Sequence, residues 1–119
     1  MKSCNCLAGA WRPSTGPDPV NVSFMRETAN RLFGDSHHRS VLGAGRHQMS
    51  LLTAAAIQGA NVRVGLEDSI DLGRGQLAQS HADQVRKIRR IQDEPGLEIA
   101  TPDEARQRLA LKGRQNVAF

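Results

Sequence analysis

A strand, a glycine turn, a helix and a second strand follow one another in the middle of the chain, and this order constrains the fold most. Residues 40–42 form an apolar run that breaks at Gly43, Ala44 and Gly45. An alanine-rich helical pattern then covers 48–57. Residues 61–68 alternate between apolar and polar with period two, which is typical of a strand. Strand, helix, strand is the unit of parallel α/β architecture.

Three more helices are predicted around this unit. Residues 20–33 carry apolar side chains at helical spacing, and Gly34 follows where a helix would end. Residues 80–94 show a buried aliphatic stripe between basic residues. A capping-box pattern with Pro102 at the first helical position predicts a short last helix. The chain is therefore predicted to contain about two parallel strands and four helices.

Length and composition limit what these elements can build. The chain has 119 residues, whereas a complete eight-stranded α/β barrel needs roughly 250. Aromatic residues are few, so the core must be aliphatic, which suits parallel strands covered by helices. Two parallel strands cannot close a barrel or cover both of their own edges. We therefore expect an α/β fold that forms part of a larger barrel.

The first 17 residues form a separate, irregular segment by their composition, which is rich in glycine and proline without periodicity. Cys4 and Cys6 are too close for an easy disulfide, and we interpret them as free thiols in a reducing compartment. No apolar run approaches the roughly 20 residues that cross a bilayer. The expected location is the cytoplasm, without a membrane partner.

Charged residues near the end of the second strand are the candidate catalytic groups. Arg63 and Glu67 lie on one face of an otherwise apolar strand, and Asp68 follows at its carboxyl end. In α/β barrels this end carries the catalytic residues, where a carboxylate can bind a metal and an arginine can hold an anion. The alternative from this pattern is an ion pair between Arg63 and Glu67 on an exposed edge strand.

The glycine turn is a candidate anion site. Gly43 and Gly45 could present backbone N–H groups to a phosphate of a cofactor, and Arg46 would add positive charge. The third glycine of a dinucleotide fingerprint is absent, so a plain tight turn is the alternative.

The histidines and the net charge give weaker indications of function than the two groups of residues above. His37 and His38 are adjacent, and His47 and His81 are distant in sequence, so a metal site made of histidines alone is not expected. A formal charge of +4 would favour anionic partners, but a solvated basic surface is the preferred interpretation of this excess. The basic stretch at 86–90 lacks interleaved aromatic residues, so we rank a nucleic-acid-binding protein last and expect no nucleic-acid partner.

Residues 40–48 and 61–68, in this order and at this separation, closely resemble the β-keto acid cleavage enzymes, typified by 3-keto-5-aminohexanoate cleavage enzyme. The resemblance extends over 18–119 and includes 24–34 and 100–106, but not 1–17. It implies a TIM barrel, of which this chain would supply the last helix of repeat six, repeats seven and eight, and the terminal helix.

The resemblance also implies a reaction and its residues. Members convert a β-keto acid and acetyl-CoA into acetoacetate and a new acyl-CoA, with zinc held by two histidines and one glutamate. It identifies Glu67 as that glutamate, Arg63 as the guanidinium that assists the substrate, and Asp68 as the acidic group in proton transfer. Zinc would act as a Lewis acid on the keto oxygen.

The family's two zinc-binding histidines come from a His-x-His motif that this sequence does not contain. We therefore expect a carboxyl-terminal portion of the enzyme that is inactive and poorly soluble alone. The alternative is a noncatalytic subunit or binding module that completes a barrel with a partner chain or with another copy of itself.

Overall fold

The computed structural model describes residues 2–5 and 18–116. In chain order, the regular elements are β1 (Lys2–Asn5), α1 (Pro19–Phe33), β2 (His37–Leu42), α2 (Gln48–Ile57), β3 (Asn61–Arg63), β4 (Asp71–Gly73), β5 (Gln76–Leu77), α3 (His81–Asp93) and α4 (Pro102–Arg108). Short 3-10 turns cover Gly45–His47 and Arg114–Asn116. The architecture is mixed α/β, as the sequence predicts.

Three of the described strands form one parallel sheet in the order β1-β2-β3. Ser40 of β2 lies opposite Asn61 of β3, and Leu42 lies opposite Arg63. Both strands therefore end at the same level. Because the strands are parallel, the loops after β2 and β3 emerge side by side at one edge of the sheet.

The core lies between this sheet and the helices, with α2 at its centre. Leu52 and Ala55 of α2 are completely buried, and Val41 of β2, Val22 of α1 and Ile88 of α3 join the same cluster. The core is aliphatic, as predicted, and α2 contacts both α1 and α3.

The helix predictions are confirmed because the local end signals are strong. α2 covers the predicted residues, and α1 ends where Gly34 adopts a φ of 57°. Capping boxes begin both later helices: the hydroxyl of Ser80 accepts the N–H of Asp83, and that of Thr101 accepts the N–H of Glu104.

The strand prediction for 61–68 is wrong beyond Arg63. The carbonyl of Gly65 accepts the N–H groups of Asp68 and Ser69, both at 3.1 Å, and these bonds close a turn over 66–68. The segment after this turn also differs from the prediction. The glycine-containing loop predicted after residue 68 contains the antiparallel hairpin β4–β5.

The N-terminal segment also differs from the prediction of irregular structure. Lys2–Asn5 forms a strand because its backbone pairs in parallel with β2, a partner that lies more than thirty residues along the chain. Residues 6–17, including Cys6 of the predicted free-thiol pair, lie outside the described residues. The parallel sheet thus has three strands rather than about two. The part of the chain that the structure describes does not close this sheet into a barrel, and its helices include none long and apolar enough to cross a membrane.

Candidate functional site

Arg63, Glu67 and Asp68 come together at the carboxyl end of β3. Nη2 of Arg63 lies 3.3 Å from Oε1 of Glu67 and 3.2 Å from Oδ2 of Asp68. In a continuous strand, positions four residues apart are separated by about 13 Å. The turn at 66–68, and not the predicted alternation, therefore brings the two carboxylates to the guanidinium.

Asp68 joins the two loops at this edge of the sheet. Its carbonyl accepts the N–H of Gly45, in the turn after β2, at 2.9 Å. Its side chain is 14% exposed, whereas those of Arg63 and Glu67 are 53% and 55% exposed. Beyond the 3.2 Å ion pair with Arg63, the buried Oδ2 accepts no well-directed hydrogen bond from the described residues. The aspartate side chain is thus largely buried, and the glutamate side chain is open to solvent.

His81 is a neighbour of Glu67 that sequence reasoning missed. Its Nδ1 lies 3.7 Å from Oε2 of Glu67 and accepts the N–H of Leu66 at 3.3 Å. That hydrogen bond requires an unprotonated Nδ1, so the ring is tied to the turn that carries Glu67. The two residues are brought together only because the β4–β5 hairpin returns the chain to the start of α3.

Two buried glutamines, one on α2 and one on α3, bond to backbone carbonyls at the start and just after the end of the same turn. Nε2 of Gln48, on α2, donates to the carbonyl of Gly65 at 3.4 Å. Nε2 of Gln84, on α3, donates to the carbonyl of Ser69 at 2.5 Å. Both side chains are almost completely buried. The two glutamines position the backbone of the turn and do not contact the side chains of Arg63, Glu67 or Asp68 through these bonds. No periodic signal in the sequence distinguishes them from ordinary helix residues.

The turn after β2 needs its glycines for backbone reasons. A Cβ on Gly43 would lie 3.0 Å from the Cα of Gln48, and Gly45 has a φ of 65°, which favours glycine. The N–H of Gly45 is already used by Asp68. These contacts agree with the tight-turn alternative, and a phosphate contact by Gly43 and Gly45 stays a prediction.

Arg46, in contrast, faces open space. It lines a cavity of about 400 Å³ together with Arg74 and Asp71, and its Nε donates to Nε2 of His47 at 3.1 Å. The cavity lies between the 3-10 turn after β2 and the β4–β5 hairpin.

The described residues contain no group of three or more histidine, cysteine, aspartate or glutamate side chains able to hold a metal ion. His37 and His38 contact backbone carbonyls, those of Gly34 at 2.8 Å and Arg108 at 3.1 Å. Glu67 is the exposed carboxylate of the candidate site, with His81 beside it.

Comparison with known proteins shows the family of this chain. A family model described as beta-keto acid cleavage enzyme matches residues 3–111. The chain belongs to this family. The match includes β2, β3 and every residue of the candidate site, and it begins at residue 3, within the segment that the sequence resemblance left out.

Three similar proteins are named for different substrates. The chain is 51% identical to the 3,5-dioxohexanoate:acetyl-CoA acetone transferase of Paraburkholderia graminis, over 87% of this chain and 34% of the relative. It is 48% identical to the 3-keto-5-aminohexanoate cleavage enzyme of Fusobacterium nucleatum, over 61% and 27%. It is 41% identical to the 3-dehydrocarnitine:acetyl-CoA trimethylamine transferase of Rhizobium meliloti, over 92% and 34%. The chain thus spans between 27% and 34% of the length of these relatives.

Proposed function

We propose that this chain supplies the carboxyl-terminal part of the active site of an enzyme that cleaves a β-keto acid with acetyl-CoA. The products would be acetoacetate and a new acyl-CoA. The observation that carries the proposal is the cluster of Arg63, Glu67 and Asp68 at the carboxyl end of a parallel strand, in a chain of this family. That end of the strands is where α/β barrels hold their catalytic groups.

Each side chain has a proposed role that suits its surroundings. The guanidinium of Arg63 is half exposed, so it can hold the carboxylate or the developing negative charge of the substrate. Asp68 takes the proton from the carbon between the substrate's carbonyl and carboxylate groups. That carbon then attacks the carbonyl carbon of the acetyl thioester, and the CoA sulfur leaves it and attacks the substrate's keto carbon. The bond between the attacking carbon and the keto carbon breaks, which gives the new acyl-CoA and the carbanion of acetoacetate, and Asp68 returns the proton to that carbanion. Arg63 orients Asp68 throughout.

Zinc is the metal that we propose for the whole enzyme, with Glu67 as one ligand. The exposed carboxylate of Glu67 suits a metal ligand, but the described residues do not complete a zinc site. Two histidines would have to come from outside this chain, which lacks the His-x-His motif. We therefore propose that the chain is inactive alone, and no step of the reaction is derived through the metal.

A second candidate function is a noncatalytic subunit that completes a barrel with a partner chain or another copy. Large apolar side chains are exposed on several elements, among them Phe24, Leu32, Ile57 and Leu77. β1 and β3 are the two edges of the described parallel sheet. Exposed apolar groups and free strand edges both favour association with further strands. Acetyl-CoA and the keto acid would then be partners of the assembly.

The test is to measure zinc content and acetyl-CoA-dependent acetoacetate formation, with Glu67→Ala and the matched exposed-site variant Glu27→Ala. The purified chain should show neither activity nor stoichiometric zinc. A mixture with a chain that carries the His-x-His half should show both, and Glu67→Ala should abolish them while Glu27→Ala retains them. Zinc and turnover in the purified chain alone would contradict the proposed inactivity. Equal turnover of Glu67→Ala and the unmodified mixture would contradict the role of Glu67.

A further inference from the structure

The cavity between the turn after β2 and the β4–β5 hairpin is lined by cationic side chains. Arg46 comes from the turn and Arg74 from the tip of the hairpin, and together with His47, Asp71 and the two hairpin glycines they enclose about 400 Å³. The two arginines are 28 positions apart in sequence, so the fold brings them to one cavity.

These two arginines differ from the chain's ion-paired arginines. Arg63, Arg86 and Arg106 each lie within ion-pair distance of a carboxylate. Within residues 18–116, the structure shows no carboxylate within that distance of Arg46 or Arg74. Asp71 lines the cavity but offsets only one of the two positive charges. The cavity is therefore positive overall, with two guanidinium groups available to an anion.

The hairpin that carries Arg74 is anchored at several points. The N–H of Ala78 donates to the carbonyl of Ile70 at 2.9 Å, and Nζ of Lys87, on α3, donates to the carbonyl of Leu72. Gly75, next to Arg74, has a φ of 72°, which allows the tight turn at the tip. β4 also contacts the turn that carries Arg46. Both arginines thus project from backbone held in place, which reduces the entropy lost when a ligand binds.

We propose that Arg46 and Arg74 form the binding site for the phosphate groups of coenzyme A. Guanidinium groups bind phosphate oxygens in pairs of parallel hydrogen bonds, and coenzyme A carries both a pyrophosphate and a phosphate monoester. The size of the cavity suits a phosphate group and part of a nucleotide. The identity of the ligand rests on the proposed function, whereas the anion site itself rests on the two arginines.

The test is calorimetric titration of the full chain with three probes: inorganic pyrophosphate, coenzyme A, and pantetheine, which lacks the phosphates. The variants are Arg46→Gln and Arg74→Gln. The control is Arg90→Gln, which removes one positive charge from the exposed face of α3. Each site variant should weaken binding of pyrophosphate and coenzyme A by about tenfold or more, the effect of losing one charge-assisted hydrogen bond. Arg90→Gln should change neither. Circular dichroism confirms that each variant is folded.

The outcomes separate the two proposals. Equal pyrophosphate affinity in the unmodified chain and both site variants overturns the anion site, as does an equal loss in Arg90→Gln. Arginine-dependent binding of pyrophosphate without any binding of coenzyme A supports the anion site and overturns its assignment to the coenzyme. Arginine-dependent binding of coenzyme A supports the full inference, even where the assembled enzyme forms no acetoacetate and the proposed reaction fails.

Discussion

Replacing Gly45 by alanine tests how the turn after β2 supports the candidate site. Gly45 has a φ of 65°, and a Cβ at this position would meet no atom within 4 Å. Its N–H donates to the carbonyl of Asp68 at 2.9 Å, so this residue joins the glycine turn to the turn that carries Glu67 and Asp68. The change therefore acts on the backbone alone, without a steric clash.

The expected cost follows from these facts. A side chain in the left-handed conformation costs about 1–2 kcal/mol. If the backbone relaxes instead to a negative φ, the hydrogen bond to Asp68 is lost, at about 0.5–1.5 kcal/mol. Depending on the route, the free energy of unfolding falls by about 0.5–2 kcal/mol. A chain of this size loses about 4 °C of melting temperature per kcal/mol.

Gly59→Ala is the matched control, because Gly59 has a φ of 76°, also with nothing within 4 Å of a Cβ, and it lies at the end of α2. Thermal denaturation should show similar losses for both variants. Amide NMR spectra should separate them: Gly45→Ala should shift the signals of residues 63–68, and Gly59→Ala should leave those signals in place. A Gly45→Ala variant that melts like the unmodified chain, with unchanged signals for 63–68, would refute the reasoning.

Three further outcomes are expected. Gly43→Ala should destabilise by about 1–3 kcal/mol in thermal denaturation, because its Cβ would lie 3.0 Å from the Cα of Gln48, and backbone cannot move aside as a side chain can. A loss below about 1 kcal/mol would contradict this. Ser80→Ala should cost about 1 kcal/mol in urea denaturation, since it removes the capping box of α3, and Ser23→Ala within α1 should cost less than about 0.5 kcal/mol. The chain should lose stability below about pH 4, because the Ser80 hydroxyl lowers the pKa of Asp83 and the backbone N–H of Thr101 lowers the pKa of Glu104. A carboxyl whose pKa is lower in the folded state stabilises the fold at pH values above its unfolded-state pKa, and this stabilisation is lost as the pH falls through its folded-state pKa. Melting temperatures measured against pH should therefore fall less steeply for Asp83→Asn than for the unmodified chain.

The helices could be predicted from the sequence because the residues that cap their ends lie close to them in sequence. Ser80, Thr101 and Gly34 each cap a helix through contacts within four residues. The strands are shorter, and their partners are distant in sequence. β1 forms because β2 is beside it, and nothing in residues 2–5 indicates that pairing. The alternation at 61–68 continues past the point where the carbonyl of Gly65 closes a turn, so periodicity alone extended β3 too far.

In the candidate site, too, residues close in sequence could be predicted to lie together, whereas residues distant in sequence could not. Arg63, Glu67 and Asp68 lie within six residues, so their proximity could be anticipated, although by a turn rather than by a shared strand face. The positions of His81, beside Glu67, and of Arg74, in the cavity with Arg46, could not be anticipated. Both depend on the β4–β5 hairpin, whose two strands have only three and two residues. Such a short hairpin gives almost no periodic signal. The catalytic and metal-binding roles themselves remain predictions.

The arrangement around Arg63 is hard to explain by stability alone. An exposed ion pair such as that of Arg63 with Glu67 contributes at most about 1 kcal/mol, and the side chains of both residues are more than half exposed. Asp68 is different, because it is largely buried and its backbone joins the two loops. Since one nitrogen of Arg63 approaches both carboxylates, a ligand that takes Glu67 leaves Arg63 paired with Asp68. Glu67 can therefore bind a new partner without leaving the guanidinium or the buried aspartate uncompensated, which agrees with the metal-binding role that we propose for Glu67.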